Sequence, residues 1–346
     1  PELRVEWFFS ARFGLRKPRD VRHYSQDFLD SVFKRHHFAA VIAITIAFVF
    51  LIGTGYISDT RLFQLPAAAS ITIFFAILIA AAGAISTFLH SWSIPLVVLI
   101  YLGVNWLYQN EFIDLRNKAY GLSYDQKETR PEYTRESIME LASDSNMLAD
   151  KQVYINILNK WKAKQGSPKP VMILINTSGG GIRSATFTMN ALQSLDSMMG
   201  GKLMQQTFLI SGASGGMLGA AYYRELYYRK QRGESINLQD QQYLKDISRD
   251  LLNPLFSSFI TRDLIGPAKP FQVHGYHYTK DRGYAFEQKL NENTRGYLNK
   301  TMNDYRKPEA NAEIPMMFFN AVITRDGRKL LMATHPARFM MRPITD

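Results

Sequence analysis

Two uncharged apolar runs near the start of the chain restrict its folding more than anything that follows. Phe38 to Ile57, FAAVIAITIAFVFLIGTGYI, is twenty residues long, and Leu65 to Leu89, LPAAASITIFFAILIAAAGAISTFL, is twenty-five. At about 1.5 Å of rise per residue, either crosses a hydrocarbon core of about 30 Å as a helix. Only seven residues separate them, which argues against two core helices of a soluble protein. A third run, Trp92 to Tyr108, has seventeen residues and contains Asn105, so it either spans, re-enters or lies on the surface. Its Trp92, Trp106 and Tyr108 suit the interfacial aromatic belt. The reading is a basic N-terminal flank at 1–37, then an all-α transmembrane segment over 38–108 with helices at about 38–57, 65–89 and 92–108. Pro66 fits the first turn of the second helix, where a missing N–H costs nothing.

A mean hydropathy of −0.17 conceals this segment, because the apolar residues are concentrated in it. The net charge is +11. Residues 1–108 hold nine Lys/Arg against six Asp/Glu, so most of the excess lies in the remainder, which anionic headgroups would attract. The basic residues are scattered, without runs interleaved with aromatics, which argues against nucleic acid as a partner. With no cysteine, a disulfide framework, a thiolate metal site and a cysteine nucleophile are excluded. The KRHH flank at Lys34–His37 favours an inside N-terminus, while five Lys/Arg between 109 and 135 leave the side of the later domain open. The expected location is a multi-pass one, of the bacterial inner-membrane type. The chain starts at Pro1 and stops at Asp346, and both ends of a longer protein are expected to lie outside it.

Residues 109–165 read as a polar linker with helix: a mixed-charge stretch over 109–150 with one short helix, then a helix over 151–165 that packs on the next domain. SPKP at 167–170 ends that helix, since prolines cannot continue it. The domain proper is read as 166–346. VMILIN, 171–176, is a short β-branched and apolar run that predicts a strand buried on both faces. TSGGG follows, then a helix in which Ala185, Met189, Leu192, Leu195 and Met199 recur at steps of three and four. Gly200 and Gly201 stop it. A second apolar run, TFLIS, leads through GASGG into another helix, GMLGAAYYRELYYR. Strand, glycine turn, helix, repeated once, is the pattern of a parallel-rich α/β sheet, and both turns fall at its carboxyl edge, where ligands bind.

Gly212-Ala213-Ser214-Gly215-Gly216 fits G-x-S-x-G, the nucleophile elbow, in which a sharp strand-to-helix turn lifts a serine hydroxyl out of the sheet. Attack by Ser214 on an ester needs donors aimed at the developing oxyanion. Gly179, Gly180 and Gly181, at a helix N-terminus, offer backbone N–H groups in a positive local field. The loop lacks the Lys-Ser/Thr of a Walker motif and does not fit G-x-G-x-x-G. Arg183 follows directly, either to steady the loop, to meet a lipid phosphate, or as an ordinary surface cation.

SGGGIRSA at 178–185, followed about thirty residues later by GASGG, resembles the patatin-like phospholipases, with the GGGxR variant shared by relatives of cytosolic phospholipase A2. The resemblance is strong over 170–230 and loose beyond. It implies a three-layer α/β/α domain and hydrolysis of lipid acyl esters without metal or cofactor, by a Ser–Asp dyad. Ser214 would be the nucleophile, Gly179 to Gly181 the oxyanion hole and Arg183 the substrate-binding basic residue. Membrane phospholipid would be the substrate and the bilayer, with other membrane subunits possible, the setting. The family's Asp-Gly-Gly or Asp-Gly-Ala turn is absent. Asp326-Gly327 reads as a hairpin turn between two strand-like runs, which places the base beyond residue 346. The alternatives are an inactive membrane scaffold that keeps the fold, and a Ser-His-Asp esterase using His274, His277 or His335. No histidine or carboxylate spacing fits a metallohydrolase. Residues 253–271 mix apolar residues with breakers and read as a lid, a bilayer-contacting segment or a packed loop. Asp281 reads as the cap of a helix.

Overall fold

The computed structural model describes residues 6–9, 14–18, 20, 23–57, 66–110, 118–120, 122, 124, 131–264, 269–273 and 275–341. A two-residue antiparallel pair, β1 (Phe8–Phe9) and β2 (Leu15–Arg16), precedes three long helices: α1 (Gln26–Ile57), α2 (Ala67–Leu89) and, after a 3-10 turn, α3 (Ser93–Gln109). Two of these helices, α1 and α2, are long and apolar enough to cross a membrane, and α3 is shorter. Their apolar side chains face outward, with Phe38, Ile46, Ile79 and Ile94 all exposed. The first helix begins twelve residues before the expected span, because QDFLDSVFKRHH contains no breaker and the Ser25 carbonyl accepts from the Phe28 and Leu29 N–H groups. Pro66 stands immediately before α2, its carbonyl accepting from Ser70 N–H.

Two helices, α4 (Arg135–Leu141) and α5 (Asp144–Lys164), occupy the expected linker. The second begins seven residues earlier than the pattern suggested. Apolar spacing alone starts at Val153, whereas the helix starts at the Ser143 N-cap position and buries Asp150, which Arg338 neutralises. The sheet follows: β3 (Ile173–Thr177), α6 (Gly181–Met198), the short α7 (Leu203–Gln206), β4 (Thr207–Gly212) and α8 (Ser214–Gln231). Next come α9 (Gln241–Ile247), α10 (Leu252–Ser258), a π-helical stretch Phe259–Leu264, and the antiparallel hairpin β5 (Pro270–Val273) and β6 (Tyr276–Thr279). The chain continues through α11 (Arg282–Asn293) and α12 (Arg306–Ala310) and ends in β7 (Met316–Val322) and β8 (Lys329–Met332).

The sheet order is β3-β4-β7-β8, with the first three strands parallel and β8 antiparallel to β7. On one face, Ile175, Ile210 and Met317 join Ala185, Met189 and Leu192 of α6 and Met217, Ala220 and Tyr223 of α8 in the main core. On the other, Tyr154 of α5 meets Phe318 edge-on. The glycine stop of α6 is as expected: Gly200 and Gly201 take φ of 61° and 82°, and Gly201 N–H returns to the Asp196 carbonyl. The helix expected from the apolar spacing is present, with Leu195 on its exposed side. One expectation fails. The first strand is not buried on both faces, since Leu174 of β3, an edge strand, remains 64% exposed. Periodicity locates a strand but not its place in the sheet.

Between the apolar helices and the sheet domain lies α10. Asn253 Oδ1 accepts from the Ala67 N–H at the start of α2, and Ser257 Oγ lies 3.3 Å from the buried Ser70 Oγ. Residues 253–264 are therefore a packed element against α2. The expected cap at Asp281 holds, its Oδ1 accepting from Tyr284 N–H while Tyr120 donates to the same oxygen.

Candidate active site

The parallel register sets Thr177 of β3 beside Gly212 of β4, so the glycine loop and the elbow leave the sheet side by side. Each turns directly into a helix, α6 or α8, and both N-termini bring a partial positive charge to this edge. Ser214, the first residue of α8, has φ of 57° and an exposed side chain. A left-handed conformation costs a non-glycine residue about 1–2 kcal/mol, so the backbone at the serine is strained. That is the sharp turn the elbow pattern requires.

Glycine is needed here for a steric reason. A Cβ on Gly212 would collide with the Thr177 carbonyl, one on Gly215 with the Gly181 carbonyl, and one on Gly216 with the Ser178 carbonyl. One turn further on, a Cβ on Gly219 would strike the Ala185 carbonyl of α6. The β4–α8 corner therefore lies against the backbone of the β3–α6 corner. At its tip, a Cβ on Gly179 would sit 3.3 Å from Ser214 Cβ and 3.7 Å from its Oγ. Gly179, Gly180 and Gly181 are all exposed, and Gly180 and Gly181 take φ of 141° and 62°. Among the described residues, no backbone acceptor takes the Gly179 or Gly180 N–H.

Two bracing residues escaped the sequence reading. Asn320 of β7 donates to Ser211 Oγ at 3.0 Å and to the Gly212 carbonyl at 3.2 Å, fixing the last residues of β4. Ser184 Oγ donates to the Ser178 carbonyl at 2.7 Å and ties the glycine loop to the first turn of α6. Nothing local marks Asn320, because its role exists only once β7 pairs with β4. Arg183 is exposed and makes no ion pair among the described residues, so it does not steady the loop.

No carboxylate or imidazole among the described residues hydrogen-bonds Ser214. Asp326 lies in the turn joining antiparallel β7 and β8, where Tyr133 donates to it and Arg328 pairs with it. The hairpin expected of Asp-Gly is present, with Gly327 at φ 75°. Glu225 is fully buried, but eleven residues along α8 place it about 16 Å from Ser214. There Arg229, Lys300 and Tyr305 surround it, and its neighbour Arg224 pairs with Glu309. Burial and the Glu225 charge push the Tyr305 hydroxyl well above the ordinary tyrosine range. His277 is exposed in the β5–β6 hairpin beside Gln272. His335, three residues after β8, is buried, and desolvation lowers its pKa while Glu309 opposes that shift. His274 and Asp346 lie outside the described residues.

The site thus sets an exposed, strained hydroxyl beside a glycine loop, with a helix N-terminus at each corner. Compared with known protein families, curated proteins and solved structures, the chain matches none of them. The class it defines by its own geometry is a mixed α/β protein with a parallel-rich sheet, a serine elbow and long apolar helices.

Proposed function

We propose that the chain is a multi-pass, membrane-anchored lipid acyl hydrolase with a patatin-like three-layer domain. In this reading Ser214 Oγ attacks the ester carbonyl of a membrane phospholipid or lysophospholipid. The amides of Gly179 to Gly181 hold the oxyanion, the alcohol leaves, and water releases the acyl group from the serine. Arg183, cationic and unengaged at the start of α6, would meet the lipid phosphate. No metal or cofactor is invoked. The apolar helices would hold the domain against its substrate, in a cell membrane of the bacterial inner type. The dyad implied by the resemblance needs an aspartate base, and no described aspartate occupies that place.

The observation that carries the reading is the conformation of Ser214: exposed, at positive φ, and within van der Waals distance of a glycine loop at a helix N-terminus. Strain of this kind persists where the surrounding structure imposes it and is common at active sites. A fluorophosphonate probe on the full chain in detergent or vesicles tests it. Labelling of Ser214, abolished in Ser214→Ala, is expected. A second reading, a scaffold that keeps the fold without turnover, is favoured by the lack of a described base. Unlabelled serine in a folded protein would select it.

A further inference from the structure

A groove of about 540 Å³ runs along the outer side of α6, closed on its other side by the end of α9. Ile182, Arg183, Thr186 and Phe187 line it from α6, and Leu244 and Ser248 line it from the α9 side. Its near end is adjacent to Gly181 in sequence and therefore within one helical turn of the glycine loop. Its far end, at Asn190, is eight residues on, about 12 Å along the helix.

The walls are mainly apolar, with the exposed Asn190 amide at the far end. Thr186 turns its hydroxyl back to the Ile182 carbonyl at 2.9 Å, and Ser248 turns its own to the Lys245 carbonyl at 2.9 Å. Neither hydroxyl is left to seek a ligand. Phe187 is 73% exposed, a large ring facing solvent with no described partner. The single charge is Arg183, at the end nearest Ser214. The groove suits a molecule with a long apolar body and an anionic group close to the bond being broken.

The position of the groove points to where that molecule comes from. Ser248 lines the groove, and five residues later Asn253 accepts from the first N–H of α2. Five residues span at most about 18 Å. The 23 residues of α2 extend about 35 Å, slightly more than a hydrocarbon core, so the first turn of α2 lies at the headgroup level if the helix spans. With α2 spanning, the groove then lies within about 18 Å of the headgroup level, in reach of the membrane surface. One leaflet contributes about 15 Å of the roughly 30 Å core, so a groove of about 12 Å takes most of one chain.

We infer that the α6–α9 groove receives an acyl chain of a bilayer glycerolipid and sets the chain-length preference of the hydrolase, a proposal that rests on the lipid-hydrolase reading above. Phe187 and Leu244 are its specificity-determining residues. The test uses the full chain reconstituted in phosphatidylcholine vesicles doped with a phosphatidylcholine that carries a diazirine at the end of one acyl chain. After illumination, cross-links in 182–190 and 244–248 are expected alongside those in α1 to α3. Phe187→Glu, which places a charge in the apolar wall, should lower the groove cross-links about tenfold and leave the helix cross-links unchanged. Leu244→Trp should depress hydrolysis of long-chain esters about tenfold relative to short-chain ones, with fluorophosphonate labelling of Ser214 intact. Cross-links confined to α1 to α3, or an unaltered chain-length profile in Leu244→Trp, would overturn the groove assignment whatever the serine does. Groove cross-links with an unlabelled Ser214 would keep acyl binding and remove the hydrolase.

Discussion

The carbonyl oxygen of Gly181 occupies the space that a side chain on Gly215 would need, so the glycine loop and the elbow touch backbone to backbone. Neither corner can shift without moving the other. Gly215→Ala is therefore expected to cost about 3 kcal/mol or more, the upper range for overpacking, and to remove probe labelling of Ser214. Gly233→Ala is the control. Its φ of 92° favours glycine, which that of Gly215 does not, but its surroundings are open, so about 1 kcal/mol is expected. Thermal melts of the two variants, side by side, check the difference.

The strained serine makes a less intuitive prediction. Glycine adopts φ of 57° freely, so Ser214→Gly should stabilise the fold by about 1 kcal/mol, a rise of a few degrees in melting temperature. Ser214→Ala keeps the Cβ and should give no such gain. Equal melting temperatures for the two variants would show that the elbow carries no strain.

Glu225 tests whether buried charge on α8 is scaffold or chemistry. Glu225→Ala would remove a shared partner from Lys300 and the Tyr305 hydroxyl and one of the two carboxylates of Arg229, which keeps Glu234. A cost of about 3 kcal/mol is expected, the lower end for breaking a buried pair, because Arg229 and Lys300 are partly in water. At a temperature where the variant remains folded, labelling of Ser214 should be unchanged.

The corner formed by α5 and the end of the chain should loosen in acid. Desolvation holds the His335 pKa below its ordinary 6.5, so the unfolded state binds a proton more readily than the folded one. The resulting stability is complete above about pH 6.5 and is lost as the pH falls toward the folded value. Asp150, held below its ordinary 3.8 by Arg338, keeps its contribution until much lower pH. Hydrogen-exchange protection factors, corrected for the intrinsic rate at each pH, should fall in 144–164 and 329–341 between pH 7.5 and 5.5. His335→Gln should flatten that dependence.

What the sequence discloses is what depends on neighbours in the chain. Apolar length marks α1 and α2, and glycine spacing marks both corners and the serine between them. Asp281 and Gly200 mark helix ends. The sequence is silent where a residue matters through a distant partner. Asn320 braces Ser211 only because β7 pairs with β4. Leu174 looks like a core residue until β3 proves to be an edge. The start of α5 is hidden because Asp150 is a polar residue buried by an arginine 188 positions away. Residues 253–271 could be read three ways because nothing local tells a packed helix from a lid.

The bond between Ala67 and Asn253 changes how the chain can be taken apart. The polypeptide leaves the sheet after α9, visits α2, and returns for β7, so the apolar helices and the sheet are sewn together rather than strung in series. A protease nick between residues 110 and 118 should leave two fragments that still migrate as one particle in detergent, parting when the 252–264 stitch is undone.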